Sequence, residues 1–60
     1  MDKKERFYKV YGNLPLGLRE EVVAVVDGEP ISWHVAKLEI DENTKKGEEI
    51  LNKLISMEII

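Results

Sequence analysis

The 60-residue chain has no cysteine and a single histidine, His34. Without cysteine there is neither a disulfide framework nor a thiolate zinc site to staple so small a domain. One imidazole also leaves the usual nitrogen-ligand metal sites incomplete, so no metal and no cofactor is expected. Positive charge is in short supply too: nine basic residues face twelve acidic ones, for a formal charge of −3. Residues 1–30 carry five basic and six acidic side chains, and residues 31–60 carry four and six. The short basic groups Lys3-Lys4 with Arg6, and Lys45-Lys46, lie close to glutamates. Duplex DNA binding draws on clustered Lys and Arg, so a nucleic-acid partner is disfavoured. Long apolar runs are missing as well. The longest, Val22–Val26, falls far below the roughly 20 residues of a membrane span. The charged start Asp2–Arg6 is not followed by the apolar region of a signal peptide. The expected setting is soluble and cytoplasmic, with no membrane partner.

What is present is an ordinary apolar fraction of 43%, enough for a core and too much for wholesale disorder. A chain this short buries only about 60% of the surface that its unfolded form exposes. One small domain over 1–60 is therefore expected, and a deep substrate pocket would consume its only core. The abundance of Lys, Glu, Ile, Val and Leu, with no glutamine, resembles a thermophilic composition. A domain without staples relies on tight packing or on oligomerisation.

Along the chain, residues 1–6 read as a frayed polar start. Phe7–Tyr11 then holds three of the four aromatics and reads as a short strand, with Phe7, Lys9 and Tyr11 on one face. Asn13–Gly17 is a connector around Pro15. Residues 18–26 fit a helical spacing at Leu18, Val22, Val25 and Val26, but four valines in five residues favour a strand over 21–26. Asp27-Gly28 is a hairpin turn signal that can equally release the chain into a helix. Over 31–40 neither period is clean. Ser32 as N-cap and the stripe Trp33, Ala36 and Ile40 favour a helix over 33–42. Thr44 (or Asn43) caps a second helix over 44–57, whose apolar stripe is Ile50, Leu51, Leu54 and Ile55. The fold class expected is α+β, with short N-terminal strands followed by two helices. A βββα meander and a trihelical domain are the alternatives.

Chemistry-bearing constellations are sparse. On a helix His34 shares its side with Lys37, Leu38 and Asp41; on a strand, with Ser32 and Ala36. Neither is a triad or a ligand set, so a surface or half-buried structural histidine is expected. The pairs Glu20-Glu21, Asp41-Glu42 and Glu48-Glu49 sit at expected element ends, where solvated carboxylates are commonplace. The glycines at 12, 17 and 28 do not space as a phosphate loop. No catalytic set assembles, and the chain reads as no enzyme. Trp33 reads as a core anchor.

Two isoleucines close the sequence, and apolar residues there should dock on the core or on another subunit. The function expected is a non-enzymatic protein-interaction or oligomerisation module. Its partner is a second copy in a homodimer, or another protein, with Leu54, Met57, Ile59 and Gly47 as contact residues. A small helix-turn-helix regulator of transcriptional or antitoxin type is the alternative, although the second helix mixes glutamates with its lysines.

Overall fold

The computed structural model describes residues 2–60. In chain order it comprises α1 (Lys3–Gly12), a single 3-10 turn (Leu16–Leu18), β1 (Val22–Val26), β2 (Glu29–Ser32), α2 (Trp33–Asp41) and α3 (Lys45–Ser56). The domain is α+β, a two-stranded antiparallel sheet with three helices.

The main departure from the sequence reading is at the start. Phe7–Tyr11 is helical, not a strand. The expected fraying of 1–6 falls partly on Met1, outside the described residues. From Asp2 onward the chain is ordered by a helix cap: the Asp2 carboxylate accepts the Lys4 N–H at 2.8 Å. Asp2 with Glu5 three residues later is a capping signature. Phe7, Val10, Tyr11 and Leu14 follow at i, i+3, i+4 and i+7. That spacing places Phe7 and Tyr11 on one buried stripe and outweighs the β preference of aromatics.

The Asp27-Gly28 signal makes a hairpin, whose second strand the expected fold did not include, and the same stretch also delivers the expected helix. Asp27 and Gly28 both take left-handed backbone, at φ 52° and 77°, the geometry of a two-residue type I′ turn. The register pairs Val26 with Glu29, Val25 with Pro30 and Ala24 with Ile31, and a bulge between Val22 and Ala24 sets Val22 beside Ser32. After four residues β2 becomes α2, because the Ser32 hydroxyl accepts the Val35 N–H at 3.1 Å and caps the helix. Strand and helix readings of 31–40 each hold for part of it. Backbone bonds from Trp33 N–H to the Glu21 carbonyl and from His34 N–H to the Arg19 carbonyl anchor that junction.

Helices α2 and α3 end in the same way. In each, a non-glycine residue with positive φ follows the last turn: Asn43 at 56° and Glu58 at 58°. The Asn43 and Thr44 amides bond back to the Ile40 and Glu39 carbonyls, and the Glu58 and Ile59 amides to those of Ile55 and Leu54. These paired bonds are a Schellman motif, which reverses the chain. After α2 it delivers Thr44 as the α3 N-cap, its hydroxyl accepting the Gly47 N–H at 2.9 Å. After α3 it folds Ile59 and Ile60 back onto the core.

Phe7, Ile31, Ile40, Ile50 and Leu54 are the largest fully buried side chains. Around them pack Tyr11, Ala24, Val26, Ala36 and Leu51, with Trp33 half-buried at the margin. The Phe7 ring lies 5.7 Å from that of Tyr11 and 6.0 Å from that of Trp33. Gly47 is buried where α3 crosses α2: a Cβ there would stand 2.5 Å from the Glu39 carbonyl oxygen.

Candidate functional site

The residues expected at an interface do not share a free surface. Leu54 is fully buried in the chain's own core. Gly47 meets the backbone of α2, so the close approach that its missing side chain permits lies within the chain. Ile59 is half-buried against the core. Of the four, Met57 alone is exposed. At the end of α3 the physical reason is the Schellman reversal at Glu58, which covers it with the tail that follows; at its start it is the close crossing with α2. The last carbonyl is held as well, accepting a hydrogen bond of 2.8 Å from the Arg6 guanidinium.

Exposed apolar side chains gather elsewhere. Among the described residues, six of the eight large ones come from 16–38: Leu16, Leu18, Val22, Val25, Val35 and Leu38. Leu16 is 76% exposed, which no packing role accounts for. Backbone bonds place four of them around one junction. The Leu16 carbonyl accepts the Arg19 N–H, and the Arg19 carbonyl accepts from His34, next to Val35. Val22 lies opposite Ser32, whose hydroxyl caps Val35. Leu16, Leu18, Val22 and Val35 therefore surround the point where residues 19–21 meet the start of α2. Val25 continues the surface along β1, facing out beside Pro30 while Ala24, Val26 and Ile31 face in.

Arg19 braces this junction. Its guanidinium carbon sits 4.5 Å from the Tyr11 ring centroid, a cation–π contact. Its Nε is buried without a hydrogen-bond partner. His34 is exposed. Among the described residues no group of three His, Asp or Glu side chains stands close enough to hold a metal ion.

Two polar features lie on the helical side. The Tyr8 hydroxyl donates to the Asp41 carboxylate, which also pairs with Lys37 at 2.7 Å. Accepting from Lys37 first, and from Tyr8, holds the Asp41 carboxyl below its ordinary range. The same hydrogen bond, with lesser desolvation and the carboxylate charge, pushes the Tyr8 phenol up to about 12. This network ties α1 to α2 and holds the phenol protonated, opposite to what a nucleophile or base requires. A cleft of about 310 Å³ opens between the first turns of α1 and α3 and the end of α2. The lysines at its rim are engaged, Lys3 with the Asn52 side chain at 2.6 Å and Lys4 with that of Asn43. Lys3 thus ties α1 to α3, and Lys4 ties α1 to the connection between α2 and α3.

Sequence reasoning missed the junction surface. The signal available was Leu16 and Leu18 flanking a glycine after Pro15, apolar residues in a connector with no periodic element to bury them. Compared with protein-family models, with curated proteins and with solved structures, the chain matches none.

Proposed function

We propose that this domain is a non-enzymatic protein-interaction module whose binding surface is the junction between the hairpin and α2. The observation that carries the reading is the concentration of exposed apolar side chains at 16–38, above all Leu16 and Leu18 on a 3-10 turn with nothing packed over them. Exposed apolar groups gathered on one side of a small domain mark contact sites. The partner is another protein. Self-association, expected from the C-terminal helix, is left with Met57 as its one exposed contact among the four residues named for it.

The helix-turn-helix alternative rests on the short connection Glu42–Thr44 between α2 and α3. It requires the outer face of α3 to enter the major groove and meet base edges, and that face mixes Lys45 and Lys53 with Glu48 and an Asn52 already engaged by Lys3.

The test is capture from native lysate on the immobilised chain, followed by reconstitution with the purified partner. Saturable binding that is lost in a folded Leu16→Asp/Leu18→Asp double variant is expected. Capture indifferent to those changes, or salt-sensitive nanomolar duplex binding in a mobility-shift titration, would overturn the reading.

A further inference from the structure

We infer that the open edge of β1 accepts an added strand: an extended apolar segment of a partner protein flanked by Lys or Arg. The inference rests on the interaction-module reading above and specifies its mode.

The sheet has two strands and hence two outer edges. In a two-residue hairpin the pair closing the turn, here Val26 with Glu29, exchanges both backbone hydrogen bonds, and bonded pairs alternate with non-bonded ones. Val25 and Pro30 form the next, non-bonded pair. Their backbone groups point away from each other, toward the two outer edges. On the β2 edge the central residue is proline, which has no N–H to offer, a common way of closing an edge. On the β1 edge Val25 presents both N–H and C=O. Among the described residues, no backbone bond from any other segment reaches Val25, and the residue is 54% exposed. β1 carries none of the charged residues that ordinarily guard an edge; its sequence is Val-Val-Ala-Val-Val. Its one irregularity, the bulge between Val22 and Ala24, ends one residue before Val25.

Charge decides the occupant. Glu20 and Glu21 precede β1 and Asp27 follows it, all exposed. The nearest cations are committed, Arg19 to the Tyr11 ring and Lys46 to Glu29 at 2.8 Å. A second copy pairing antiparallel through β1 would set Glu20 and Glu21 of one chain beside Asp27 of the other. Like charges placed across strands are destabilising, and opposite charges there are favourable. The edge therefore selects a strand with basic flanks. Backbone bonds supply the attachment, and the alternate side chains of the added strand meet Val25 and its neighbours.

The experiment uses the full chain, labelled with nitrogen-15, and two capped peptides, Lys-Val-Thr-Val-Thr-Val-Arg and its counterpart with glutamate at both ends. The basic peptide is expected to perturb the amides of residues 22–26 and to slow exchange of the Val25 amide. The acidic peptide is expected to bind about tenfold more weakly, the effect of two or three reversed cross-strand pairs. Val25→Pro removes the outward donor and no hydrogen bond of the hairpin ladder, and should abolish the effect while the fold, read by circular dichroism, is retained. Should that variant unfold, Glu20→Lys/Glu21→Lys serves instead and should reverse the preference between the peptides. Unchanged Val25 exchange, equal binding of both peptides, or perturbation centred elsewhere overturns the proposal. So does Val25 protection that rises with protein concentration alone, which would place a second copy on the edge. Failure here is separable from failure of the parent reading. Capture of the native partner that is lost in Leu16→Asp/Leu18→Asp but indifferent to loss of the Val25 N–H keeps the module and removes the strand. Capture indifferent to both removes the module.

Discussion

Replacing Gly47 by alanine sets two well-understood effects against each other. Alanine in a helix interior is favoured over glycine by about 1 kcal/mol, so on an isolated α3 the change would stabilise. In the folded domain the new Cβ would stand 2.5 Å from the Glu39 carbonyl oxygen, 2.7 Å from its carbon and 3.0 Å from the Ile40 nitrogen. All three are backbone atoms, so no rotamer change relieves the crowding. To reach an ordinary 3.4 Å from that oxygen the helices must separate by about 1 Å. Ile40, Ile50 and Leu54 are all fully buried at or beside this crossing and would lose contact with one another. Overpacking of this kind costs about 1–3 kcal/mol and here includes main chain on one side, so a net loss of about 2 kcal/mol is expected. For a domain of this size the whole stability is about 3–9 kcal/mol. In urea, with a slope of about 1 kcal/mol/M, the midpoint should fall by about 2 M, read through Trp33 fluorescence and far-ultraviolet circular dichroism together. Gly12, at the end of α1 with open space around it, is the control: Gly12→Ala should be neutral or gain up to about 1 kcal/mol. A Gly47→Ala domain as stable as the parent would refute the close crossing of α2 and α3.

The remaining predictions address the caps and the surface network. Glu58 occupies a left-handed position, and Glu58→Gly should raise stability by about 1 kcal/mol in urea titration, since glycine meets no Cβ penalty there. Ile59→Asp should lower stability by about 1–3 kcal/mol, because the tail covers the core that it folds back on; sedimentation that instead shows a stable dimer dissociating would restore the C-terminal helix as an interface. The Tyr8 phenol, raised to about 12, should contribute stability that is complete below pH 10 and lost as pH rises through 12. For Asp41, whose carboxyl is lowered, the contribution is present above its ordinary range and lost as pH falls through the lowered value. Phenolate absorbance should accordingly show a transition near pH 12 that disappears in Tyr8→Phe, and ionisation of Tyr8 near pH 10 would contradict the network.

Wherever one short-range rule acted alone, the sequence was sufficient. Asp27-Gly28 announced its turn because left-handed backbone at both positions needs such residues. Ser32 and Thr44 announced two helix starts because a hydroxyl at that place satisfies an amide that the helix leaves open. Over β1 a helical spacing competed with four valines in five residues, and β-branching decided for the strand. The absence of cysteine by itself rules out disulfide and thiolate staples. At the amino end two local signals competed: aromatic content spoke for a strand, and the Asp2 cap with its Phe7–Tyr11 spacing spoke for a helix. The second prevailed, because a helix lays Phe7 and Tyr11 on one stripe against the core and leaves Lys9 exposed, where a strand would set Lys9 between the two rings.

Tertiary structure alone decided what the apolar residues face. Leu54 and Leu16 are the same residue type in one short chain, yet one is fully buried and the other 76% exposed. Composition cannot rank them, because burial depends on which elements cross above each side chain. Nor could spacing show that Gly47 would be used against α2 rather than against another molecule. The tail is the plainest case: two terminal isoleucines demand cover, but whether a partner supplies it depends on one residue, Glu58, adopting positive φ and turning the chain back. That conformation is disfavoured locally for glutamate and is held by the burial it makes possible. The same holds for the open edge of β1, since a strand's free side exists only once its other side has been paired.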